Sequence, residues 1–204
     1  MHRHRPYPHG SIEVIAGSMF SGKSEELIRR IKRAQIAKLK IKIFKPSVDI
    51  RYSETQVASH SNQKLDAIAV KNSSEILLHS EDCEIIGVDE VQFFDDNIVN
   101  VLQTLADQGK RVVVSGLDSD YKRAPFGVMP ALMAIAEDVT KLHAVCNICH
   151  GEAQFTNRFS GGDSQFQLGA SDSYQPLCRS CFVNHNPKPC SAADNAISSD
   201  TKPS

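Results

Sequence analysis

Short apolar runs alternate with segments of helical period over the first 140 residues of the chain. Ile12-Glu13-Val14-Ile15-Ala16 is a largely β-branched run of strand length, and Ile41–Lys45, Ala67–Val70, Glu84–Val88, Val112–Ser115 and Lys141–Ala144 read the same way. Between them, Lys23–Lys38 sets Leu27, Ile28, Ile31 and Ala34 three and four residues apart, which predicts a helix with one apolar face. Ser74–His79, Asn97–Gln108 and Val128–Glu137 are further predicted helices. Buried strands alternating with helices predict an α/β fold, a parallel sheet covered by crossover helices. The pattern fails at both ends. Residues 1–10 carry His, Arg and Pro without periodicity and predict a loose arm. From Cys146 to Cys181 the apolar period gives way to Gly, Ser and Cys, and beyond Phe182 the composition cannot bury a core. The expected division is an arm at 1–10, an α/β domain at 11–140, a separate cysteine module at 141–185 and a disordered tail at 186–204.

Composition narrows the setting. At 204 residues the chain can bury one core and a small appended module. A formal net charge of -1 gives no general pull toward nucleic acid or anionic membrane. On helix Lys23–Lys38, Glu25 with Arg29 and Glu26 with Arg30 stand four apart, so the charge run reads as a solvated face. No run approaches the ~20 apolar residues of a membrane span. Met1-His2-Arg3-His4-Arg5-Pro6 lacks the apolar stretch of a secretion signal, so a cytoplasmic protein is expected.

The chemistry lies where the first strand meets the first helix. Gly17-Ser18-Met19-Phe20-Ser21-Gly22-Lys23-Ser24 matches G-x-x-x-x-G-K-[ST], the phosphate-cradling loop. Its backbone N–H groups and the new helix dipole converge on phosphate oxygens, Lys23 can reach the β and γ phosphates, and Ser24 can ligate Mg²⁺. The sheet is thus of the P-loop NTPase kind. A second apolar strand, Ile85–Val88, ends in Asp89-Glu90, and in an open α/β sheet that end faces the same crevice. Asp89 is the expected acidic partner of Mg²⁺, and Glu90 is placed to act on a nucleophile. Whether that nucleophile is water or a bound hydroxyl is left open by these residues. If it is a hydroxyl, a lid must exclude water.

Cys146-x-x-Cys149 and Cys178-x-x-Cys181 offer four thiolates, enough to close a tetrahedral zinc site without an open position, which marks the metal as structural. The 28 residues between the pairs exceed the spacing of a compact ribbon, so the zinc is expected to staple the base of a long loop, Gly151–Leu177. His150 and His185 are read as ordinary polar residues, Cys83 as a small buried hydrophobe and Cys190 as a bystander in the tail.

Taken together, the loop Gly17–Ser24, Asp49-Ile50-Arg51-Tyr52, Asp89-Glu90-Val91-Gln92-Phe93-Phe94, Gly116-Leu117-Asp118 with Pro125-Phe126-Gly127, and the two cysteine pairs resemble the thymidine kinases of the cellular, zinc-containing type. The order and spacing look most like those of Gram-positive bacterial members, and the resemblance runs from about Ile12 to Cys181. It implies transfer of the ATP γ-phosphate to the 5′-hydroxyl of thymidine, and of deoxyuridine, in nucleotide salvage, with Glu90 as base. It implies nucleotide contacts at Gly17, Ser18, Met19, Phe20, Ser21, Gly22, Lys23, Ser24, Arg51, Asp89, Glu90, Val91 and Gln92. The cysteine-based loop would be the family's lasso over the thymine. Met19, Leu117, Phe126 and Thr156 would border the base, Phe93 would pack on the thymidine, Tyr121 would stand at the pocket edge and Tyr174 at the closing end of the lasso. ATP, Mg²⁺ and structural zinc are the implied cofactors. A homotetramer inhibited by thymidine triphosphate is implied by analogy. The competing reading is a P-loop ATPase whose zinc module binds nucleic acid. The Gly/Ser-rich loop has few basic residues and no aromatics interleaved with Lys or Arg, so no nucleic-acid or membrane partner is expected.

Overall fold

The computed structural model describes residues 9–47, 56–58, 64–159 and 173–186. In chain order its elements are β1 (Ser11–Gly17), α1 (Lys23–Ile36), β2 (Ile41–Pro46), β3 (Gln56–Ala58), β4 (Lys64–Asp66), β5 (Ile68–Val70), α2 (Ser74–Leu78) and β6 (Ile85–Val88). A 3₁₀ turn (Val91–Phe93), α3 (Ile98–Asp107), β7 (Arg111–Leu117), α4 (Met129–Ile135) and β8 (Asp138–Leu142) follow, then β9 (Ala144–Val145), β10 (Glu152–Ala153), β11 (Phe155–Arg158), β12 (Tyr174–Leu177) and α5 (Arg179–His185). Among the described residues, six strands form one sheet in the order β5-β2-β6-β7-β1-β8, and every pairing in it is parallel.

Alternation along the central strands separates two cores. Ile12, Val14 and Ala16 of β1 and Val112 and Val114 of β7 face α3 and α4, where Ile98, Leu102, Leu105, Met129 and Leu132 meet them. Ile15 and Val113 face the other way, onto Leu27, Ile28 and Ile31 of α1. Burying each such aliphatic side chain contributes about 1.5–3 kcal/mol, so α1 is held mainly by this stripe. It stops at Ile36, two residues short of the predicted end, because Lys38 takes a left-handed turn (φ 57) and Leu39 N–H reaches back to the Ala34 carbonyl at 3.2 Å.

Two expectations shift. β8 occupies Asp138–Leu142 rather than Lys141–Ala144, with half-buried and exposed residues in alternation. Among the described residues it is an edge strand paired with β1 alone, and Asp138-Val-Thr-Lys-Leu shows no continuous apolar run to betray it. The charge run of α1 is also less solvated than expected. Arg29 bonds Glu26 (2.5 Å) rather than Glu25, and Arg30 keeps the expected bond to Glu26 (2.8 Å) but also turns inward to Glu13 (2.7 Å) on the sheet, to Asp138 (3.1 Å) and to Thr140 (2.7 Å). Burial pushes the Glu13 carboxyl up, but hydrogen bonds and charges from Arg111 and Arg30 outweigh it and hold it below its ordinary range.

The cysteine segment is built differently. β9 pairs with β10 and β11 with β12, each antiparallel and two-stranded. Its core among the described residues is Ala144, Cys146, Ala153, Leu177 and Phe182.

Candidate active site

The carboxyl ends of β1, β6 and β7 open at one edge of the sheet. At the end of β1 the chain turns through Ser18–Gly22 into α1. Gly22 caps the helix at φ 83, a left-handed conformation that a side chain would resist. Phe20 holds a left-handed φ of 64 without being glycine, a strained residue inside the loop. The Ser18 carbonyl accepts from Lys23 Nζ at 2.7 Å and from Ser21 Oγ at 2.8 Å, so the loop is braced from within. The first turn of α1 presents its positive end beside these groups.

β7 lies between β1 and β6, so the acid at the end of β6 must span a strand to meet the loop. Asp89 does so through two hydroxyls. Ser24 Oγ donates to Oδ2 at 3.1 Å, and Ser115 Oγ on β7 donates to Oδ1. Burial, and then the neighbouring charge of Glu90, push the Asp89 carboxyl up to about 6. A buried carboxylate held against a loop serine is suited to a hard divalent cation, which would relieve that cost. Ser115 was not singled out by sequence. Its signal was a lone hydroxyl at the end of the apolar run Val112–Ser115.

Glu90 has a left-handed backbone (φ 52) and caps the 3₁₀ turn. Gln92 Nε2 donates to its Oε2 at 2.5 Å. Val91 is fully buried in the α3–α4 side of the core. Phe93 meets Phe126 edge to face, centroids 5.6 Å apart, and Leu117 is buried in register with Gly17. Tyr121 lies under the guanidinium of Arg158, 3.6 Å from its ring centre. Arg51 falls outside the described residues, as do Asp49, Cys190 and residues 160–172 of the long loop.

The base of that loop is described and is tied to the phosphate loop. Thr156 on β11 is buried, and its Oγ1 accepts the main-chain N–H of Met19 at 3.0 Å. Tyr174 opens β12 opposite Arg158. Arg123 stacks on Phe182 (4.8 Å) and Phe155 (5.7 Å), which joins the loop after β7 to the cysteine segment. Asp120 shapes that loop by accepting the N–H groups of Lys122 (2.8 Å) and Ala124 (2.9 Å).

The sulfurs of Cys146, Cys149, Cys178 and Cys181 all lie within 4.8 Å of one another, and Cys149 and Cys178 are 3.6 Å apart. Thiolates at about 2.3 Å from a tetrahedral zinc stand about 3.8 Å from one another, so the set fits that ion. Cys178 also caps α5 by accepting the Cys181 N–H at 3.4 Å. Neither His150 nor His185 joins the cluster, and Cys83 is buried with its sulfur on the Ser80 carbonyl.

A strand running through a glycine-bounded phosphate loop into a helix, answered by a buried Asp from another strand of a parallel sheet, defines a P-loop nucleotide-binding α/β protein. Comparison with known proteins narrows the class. The profile of the thymidine kinase family matches residues 10–182, and the chain belongs to that family. It is 55% identical over 173 residues to a thymidine kinase of Porphyromonas gingivalis, covering 85% of each chain. It is 49% identical over 174 residues to one of Bacteroides thetaiotaomicron, with 85% of this chain and 87% of that one covered. With a thymidine kinase of Rhodothermus sp. it shares 50% over 184 residues, 90% of this chain and 85% of the relative.

Proposed function

We propose that this chain transfers the γ-phosphate of ATP to the 5′-hydroxyl of thymidine, and of deoxyuridine, in nucleotide salvage. The observation that carries this reading is the family match over residues 10–182, which spans both the phosphate loop and the cysteine pairs. The loop Gly17–Ser24 binds the triphosphate through its N–H groups, with Lys23 moving from the Ser18 carbonyl to the β and γ phosphates. Arg51 adds positive charge to the same phosphates. Ser24 and Asp89 hold Mg²⁺, whose contribution is to neutralise charge on the transferring group. Glu90 accepts the proton of the 5′-hydroxyl as the oxygen attacks.

Met19, Leu117, Phe126 and Thr156 border the thymine, Phe93 packs on the nucleoside, and the loop closed by Tyr174 shuts over it to exclude water. Tyr121, held beneath Arg158, supports the hinge of that loop at the pocket edge. The division into an α/β domain at 11–140 and a zinc-stapled lasso at 141–185 belongs to this proposal. So do a homotetramer, feedback by thymidine triphosphate and a cytoplasmic location. The competing ATPase reading has no comparable support.

Purified protein given Mg²⁺-ATP and a panel of nucleosides is expected to make thymidine monophosphate. ATP hydrolysis stimulated by DNA, with no phosphorylated nucleoside, would overturn the proposal. Light scattering of the same sample tests the tetramer, and titration of thymidine triphosphate into the assay tests feedback.

A further inference from the structure

We infer that Gln92 is a positioning residue that fixes the carboxylate of Glu90 for proton transfer, an inference that rests on the reading of Glu90 as the base. Gln92 is 4% exposed, and its amide is engaged at both ends. Oε1 accepts the main-chain N–H of Leu117 at 3.1 Å. A backbone N–H can only donate, so the oxygen end of the amide must face β7. The NH₂ end is thereby turned to Glu90, where Nε2 meets Oε2 at 2.5 Å. A Cβ on Gly116 would lie 2.7 Å from Gln92 Oε1, so the bare backbone of β7 at that point is what admits the amide.

Glu90 itself leaves the chain from a left-handed backbone, which sets the direction of its side chain. The last torsion of a glutamate is broad and two-fold, so direction alone does not orient the carboxylate. The hydrogen bond from Gln92 does. The same amide runs from Leu117, at the proposed thymine wall, to Glu90, so the base is referenced to the strand that borders the nucleoside. Orientation of this kind acts on turnover rather than on binding, because it sets how often the base is in line when substrate is already held.

The test separates the two ends of the amide. Gln92→Glu keeps an oxygen for the Leu117 N–H but sets a second carboxylate against Glu90, so the pair must share a proton and its loss of kcat is expected to ease as pH rises, while Gln92→Met keeps the length and removes both contacts. Each is expected to lower kcat by about 10- to 100-fold, with KM for thymidine and for ATP within about threefold of wild type. In a Glu90→Gln background, Gln92→Met is expected to cause no further loss. Should Gln92→Met melt below the assay temperature, Gln92→Glu, which retains the Leu117 bond, decides.

Wild-type kcat in the folded variants would overturn the inference. So would a rise in the ATP KM at unchanged kcat, which would make Gln92 a nucleotide contact, or additive losses in the double variant. Glu90→Gln measured alone keeps the two claims apart. If it turns over like wild type, the base reading falls. If it is impaired and the Gln92 variants are not, only the role of Gln92 falls.

Discussion

The sheet and the cysteine segment solve the problem of stability in different ways. The sheet buries Ile, Leu and Val on both faces, from β1, β6 and β7 at its centre to α1 on one side and α3 and α4 on the other. The cysteine segment, in contrast, has a hydrophobic cluster of five buried residues among those described, two two-stranded ladders and one short helix. Isolated hairpins of that size are marginal in water, and a metal on the four cysteines would supply what the core cannot. The difference has a functional reading. On the proposed function, the phosphate loop stands on the larger core, which holds it in shape before its ligand arrives, whereas the segment that would close over the nucleoside is tied to the rest only at its base by the cysteines.

Asp89→Asn gives the largest expected effect within the sheet, and it should separate stability from function. Replacing a buried carboxylate by an amide of equal size removes the cost of keeping a charge there, so the melting temperature at pH 7–8 should rise. Turnover should nonetheless fall by roughly 100-fold or more as the anion facing Mg²⁺ is lost. Kinetics and thermal melts of one sample read both, and an unchanged kcat would remove Asp89 from the site.

Glu13→Gln should destabilise the sheet alone. Arg30 and Arg111 would lose the carboxylate between them, at a cost of about 2–4 kcal/mol at neutral pH. The folded Glu13 carboxyl lies below its ordinary value of 4.5. Its contribution is therefore present above that pH and lost as pH falls through the lowered value. Melting temperatures of wild type and variant should converge on acidification, with zinc content equal in the two proteins at each pH; a constant gap down to pH 3 would remove the ion pair from the account.

Thr156→Val probes the joint and should act least. Loss of the hydroxyl that accepts the Met19 N–H is worth about 1 kcal/mol, or roughly fivefold in the thymidine KM, without a shift in the melting of the sheet. An equal change in the ATP KM would mean that the bond braces the phosphate loop rather than the lasso.

The contrast between the two regions also explains what the sequence could reveal. Strands with both faces buried, such as Ile85–Val88 and Arg111–Leu117, carry their signal in continuous apolar runs and were legible to within two residues. The edge strand Asp138–Leu142 was misplaced by three because its half-exposed positions alternate. β3 with β4, and the two-stranded ladders of the cysteine segment, were not anticipated, since two- to four-residue strands leave no period to read.

At the site, the loop and Asp89 were legible as local motifs. Ser115 and the Gln92 bridge were not seen as parts of a network, because they depend on β7 lying between β1 and β6, a matter of strand order. The Met19–Thr156 bond spans 137 positions and has no local signature at all.

The central claim of the proposed function is that the sheet and its phosphate loop hold ATP unaided, whereas the nucleoside, bordered by the same loop and β7, also needs the cysteine segment to close over it. Calorimetric titration of ATP and of thymidine, before and after zinc is stripped with a chelator and in Cys178→Ser, tests it most directly. Thymidine affinity is predicted to fall by about tenfold or more, since its lid must then be ordered at the expense of binding, with ATP affinity within about threefold. Equal loss of both affinities would mean that the two regions fold as one and would contradict the account.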